Sequence, residues 1–69
     1  PLLQWFRKDL KDKIFNDWLQ DDYIRQQGIF NLSMIQQLKQ RLLSNNPGDV
    51  HAQIWALIVF QNFWRKYMD

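Results

Sequence analysis

From Ile54 to Phe60 seven consecutive residues are apolar, and Phe63, Trp64, Tyr67 and Met68 follow closely. A helix with apolar groups on nearly all sides has to be enclosed by something larger than itself. The chain has 69 residues, and its first is Pro1 rather than Met. So little other material predicts a piece of a larger protein, with part of its function lying outside the piece.

A chain of this length forms one domain at most, with a core of marginal size. Four Trp, five Phe and two Tyr partly compensate, since each buried aromatic removes roughly 150–250 Å² from water. Cysteine is absent, which excludes a disulfide framework, thiolate metal sites and a thiol nucleophile. The net charge is +2, from nine Lys and Arg against seven Asp with no Glu. The surplus sits late, at Lys39, Arg41, Arg65 and Lys66. That is far from the basic stripe of a nucleic-acid binder. The longest apolar run falls well short of the roughly 20 residues that span a bilayer. No charged leader precedes an apolar stretch at the amino end. The composition therefore predicts a cytoplasmic protein that engages neither membrane nor nucleic acid.

The pattern along the chain is helical throughout. Leu3, Phe6, Leu10, Ile14 and Trp18 recur at steps of three and four and predict an amphipathic helix over 2–19. Leu2, Phe15 and Leu19 widen its stripe, Lys8, Lys11 and Asp12 face solvent, and Pro1 suits the first turn. Asp21 and Asp22 favour a short helix to residue 27, ended by Gly28. Asn31 reads as an N-cap, with Phe30 and Ile35 placed as a hydrophobic staple. The helix that follows covers about 32–43, burying Ile35, Leu38, Leu42 and Leu43. Ser44-Asn45-Asn46-Pro47-Gly48-Asp49 is a loop. Asp49 then caps a last helix running to about Tyr67, with Arg65 and Lys66 complementing its dipole. No period-two alternation persists and Thr is absent, so no strand is predicted. The fold class is all-α: residues 1–69 form a single helical unit, a small bundle of three main helices plus one short one. The predicted core comprises Leu3, Phe6, Leu10, Trp18, Phe30, Ile35, Leu38, Trp55, Ile58 and Trp64. A central Trp55 would make Trp55→Ala cost about 3–5 kcal/mol.

No constellation of catalytic side chains emerges. His51 is the one histidine and reads as a surface or capping residue, because zinc needs three or four ligands. Asp9, Asp12, Asp17, Asp21 and Asp22 alternate with Arg7, Lys8, Lys11 and Lys13, the pattern of a solvated, salt-bridged helix face. Ser33 and Ser44 have no base beside them in the pattern. Two isolated glycines make no phosphate-cradling loop. Gln61-Asn62-Phe63-Trp64-Arg65-Lys66 resembles a homeodomain recognition helix in composition. It lacks a basic arm and enough cations for phosphate contacts. The aromatics Trp55, Phe60, Phe63, Trp64 and Tyr67 read as core or, in an excised piece, as an exposed docking surface.

Three landmarks stand in order. Pro1-Leu2-Leu3-Gln4-Trp5-Phe6-Arg7 leads to Leu10-Lys11-Asp12. Gly28-Ile29-Phe30-Asn31 precedes Ile35, Leu38 and Leu42. Ile54-Trp55-Ala56-Leu57 precedes Phe60, Trp64 and Tyr67. Over essentially the whole chain this order resembles the carboxy-terminal end of the glutamine-hydrolysing asparagine synthase family. In that family the synthetase domain closes with a Pro-Leu-x-x-Trp-Leu-Arg-like opening, a Gly-Leu-Phe-Asp-like helix start and a Leu-Trp-containing helix. Asn31 stands here for the family's Asp, and Phe6 and Ile54 stand for Leu; each keeps its role as cap or core.

The resemblance implies a parent enzyme that forms amides at the expense of ATP, with Mg as cofactor and ammonia from glutamine attacking an adenylylated carboxylate. The family's cysteine nucleophile and Ser-Gly-Gly-x-Asp-Ser pyrophosphate loop are absent here, and its active-site lysine segment would lie upstream of Pro1. No catalytic, cofactor-binding or metal-binding residue carries over, and the 69 residues are expected to have no activity of their own. The implied partner is the rest of the synthetase domain, or a second copy joined through the apolar helix. A stand-alone helical interaction module and a small nucleic-acid-binding domain are the alternative readings.

Overall fold

The computed structural model describes residues 2–68, with side chains from residue 3 onward. The roles predicted for Pro1 and for the Leu2 side chain lie outside the described residues. The described chain is all-α: α1 (Leu2–Arg7), α2 (Lys11–Lys13) running on into a π-helical turn (Ile14–Trp18), α3 (Asp21–Gln27), α4 (Leu32–Leu43) and α5 (Val50–Tyr67).

The single helix predicted over 2–19 is interrupted. After α1 the Leu10 N–H donates to the Trp5 carbonyl at 3.0 Å, five residues back, and the chain restarts with Ile14 N–H on Leu10 O at 2.9 Å. Leu19 N–H then reaches the Ile14 carbonyl at 3.0 Å, again a five-residue step. The reason lies in the spacing. Phe6, Leu10, Ile14 and Trp18 step by four, and at 3.6 residues per turn three such steps swing the seam by about 120°. A break and a wider π turn recover that drift. Phe6, Ile14 and Trp18 are all buried as a result.

The later elements follow their local chemistry. The Gln20 side chain accepts from Tyr23 N–H at 2.9 Å, so Gln20 caps α3, with Asp21 and Asp22 in the first turn. Gly28 ends α3 at φ +69°. The Asn31 carboxamide oxygen accepts from Met34 N–H at 3.3 Å, capping α4 as predicted. At α5 the cap prediction is corrected: Asp49 holds the N-cap position, but its carboxylate makes no capping hydrogen bond. It lies 3.8 Å from Arg41 instead, beside the turn that Gly48 makes at φ +60°.

Phe6, Ile14, Leu19, Ile24, Leu42, Val50 and Ile54 are fully enclosed and form the centre. Of the predicted core, Trp18, Ile35 and Ile58 join them. Leu3, Leu10, Phe30 and Leu38 are half-buried against the centre, and Trp64 is half-buried. Two assignments are corrected. Leu43 and Trp55 are each 46% exposed. The inner face of α5 is Val50, Ile54, Ile58 and Gln61. Trp55, one position past Ile54, is turned about 100° away from it. The Trp55 ring still stacks on Phe6 with centroids 6.3 Å apart. Truncating it should therefore cost about 1–2 kcal/mol on the area it retains.

Gly28 has open space where a Cβ would stand, so only its left-handed backbone resists substitution. Gly28→Ala is expected to lower stability by about 1 kcal/mol. A lower midpoint in urea with an unchanged slope would register that loss.

Candidate functional site: the outer face of α5 and the groove beside it

Long polar side chains set the position of α5 and α4, and they do so at helix ends. The last carbonyls of a helix have no partner within it. At the end of the π turn the Trp18 carbonyl accepts from Gln61 Nε2 at 2.8 Å, and the Leu19 carbonyl accepts from Lys39 Nζ at 2.8 Å. Gln61 is fully buried and also exchanges two amide bonds with Gln27, at 2.7 and 2.9 Å. Lys39 Nζ continues to Asp21 Oδ1 at 2.9 Å. At the end of α4, Arg7 donates from Nε to the Leu42 carbonyl and from Nη2 to the Ser44 carbonyl, both at 2.6 Å. Arg65 Nη2 ties the end of α5 to Asp17 at 2.7 Å, and the guanidinium carbon of Arg65 lies 4.8 Å from the centroid of the Tyr23 ring.

With its inner face so fixed, α5 turns an apolar seam outward. Trp55, Val59, Phe63 and Tyr67 recur every four residues and are between 46 and 63% exposed. Phe63 meets Tyr67 along the seam at 4.8 Å, and the aromatic contacts lead inward from Phe63 to Phe60 at 6.4 Å and from Phe60 edge-on to Phe30 at 5.5 Å. Beside it, α4 and α5 enclose an open groove of about 720 Å³. Met34, Leu38 and Arg41 stand on the α4 wall and Gln53, Ala56 and Phe60 on the α5 wall. Met34 is 61% exposed.

The residues singled out in the sequence disperse. His51 is half-buried, and its Nδ1 is buried with no hydrogen-bond partner among the described residues. Through that nitrogen it makes no capping bond. Asp12 accepts from Asn16 at 2.7 Å, Asp22 from Arg25 at 2.7 Å, and Asp17 lies 3.9 Å from Lys13. The solvated face is thus real, but Arg7, assigned to it, has left for the end of α4. Ser33 is exposed, and Ser44 Oγ donates to the Arg41 carbonyl at 2.9 Å. Sequence reasoning missed Lys39 and Gln61, because a polar side chain gives no local sign that a distant carbonyl awaits it. Among the described residues no three His or Asp side chains lie close enough to hold a metal ion. Nor is any described helix long and apolar enough to cross a membrane. No protein-family model, curated protein or solved structure matches the chain.

Two measurements probe the polar frame. Gln61→Leu strands the Trp18 carbonyl and the Gln27 amide, and is expected to cost about 1–3 kcal/mol in urea unfolding. An unchanged midpoint would remove the amide pair from the account. The Asp21 carboxyl is held below its ordinary 3.8 by hydrogen bonds from Lys39 and then Gln36, against burial, which pushes it up. A lowered carboxyl stabilises the fold fully above 3.8 and loses that effect as pH falls through its lower native value. Melting temperature is therefore expected to drop on acidification below 3.8, with a shallower drop in Asp21→Asn.

Proposed function

We propose that this chain is a non-catalytic helical element, the carboxy-terminal segment of an asparagine-synthase-like, ATP- and glutamine-dependent amidotransferase. In this reading the rest of the synthetase domain covers the outer face of α5, and the segment contributes packing and shape around a site built elsewhere. The observation that supports it most is the seam of Trp55, Val59, Phe63 and Tyr67. An apolar stripe of four large residues on the solvent side of the longest helix is surface of the kind that marks an interaction site. The ordered landmarks from Pro1 to Tyr67 resemble those of the family, and the seam supplies a physical reason for a larger body around it.

The reading frame upstream of the Pro1 codon tests this directly. It is expected to encode a Ser-Gly-Gly-x-Asp-Ser loop, and a start codon immediately before Pro1 would overturn the reading. A substitution tests the physical half. In the 69-residue chain Phe63→Glu is expected to change stability by no more than about 0.5 kcal/mol, as at other exposed positions. In the longer protein the same change buries a charge without a partner, and loss of soluble enzyme is the expected result.

A further inference from the structure

We draw no further inference here: the strongest candidate, the open apolar groove that Met34, Leu38, Ala56 and Phe60 line between α4 and α5, carries nothing because its one lining cation, Arg41, is already held by the Pro47 carbonyl and Asp49 and nothing in the structure shows what covers it.

Discussion

Among the described residues two helix ends lie wholly or partly inside this small molecule, and each leaves carbonyls that have no partner in their own helix. The rest of the architecture is arranged around satisfying them. Trp18 and Leu19 at the end of the π turn are met by Gln61 and Lys39, and Leu42 and Ser44 at the end of α4 are met by Arg7. The donors come from residues between 20 and 43 positions away. An unpaired carbonyl in a dry interior costs about as much as a lost hydrogen bond or more. A core with so few enclosed aliphatic residues has little stability to spare against such a loss.

This explains why polar groups occupy places that burial alone would give to leucine. Lys39 carries its stem through the interior and its ammonium to the Leu19 carbonyl and Asp21. Replacing it with an apolar side chain would leave the Leu19 carbonyl without its donor, whereas Asp21, partly exposed, keeps its hydrogen bond from Gln36. The guanidinium of Arg7 does at the end of α4 what a lysine or arginine within the last turn commonly does, but it arrives from the opposite end of the chain. Apolar packing brings the helices together, and these donors decide which helix end meets which side chain.

The features legible in the sequence are those decided within a few residues. Gly28 and Asn31 announce their positions because a left-handed stop and an N-cap are local chemistry. The extents of α3, α4 and α5 follow the same way. The break at Lys8–Leu10 was less visible, because each four-residue step looks helical and only the accumulated drift requires a correction. Trp55 misleads for a related reason: in a run apolar on every side, hydrophobicity cannot say which face is inner. Gln61 settles that question, and its amide gives no hint of it in the sequence. The outer seam was legible as a surplus of large apolar residues, whereas the groove depends on how α4 lies beside α5.

The Gln27–Gln61 pair has a mechanical consequence. Aliphatic side chains tolerate sliding, since a helix advanced by one turn, about 5.4 Å, presents a similar ridge to its neighbours. The paired amides do not tolerate it: one notch in either direction leaves two carboxamides and the Trp18 oxygen dry and unmatched. Being uncharged, the catch holds equally in brine and in acid. It gives the longest rod of the molecule a single seat, so that whatever rests against its far side meets an edge at a fixed height.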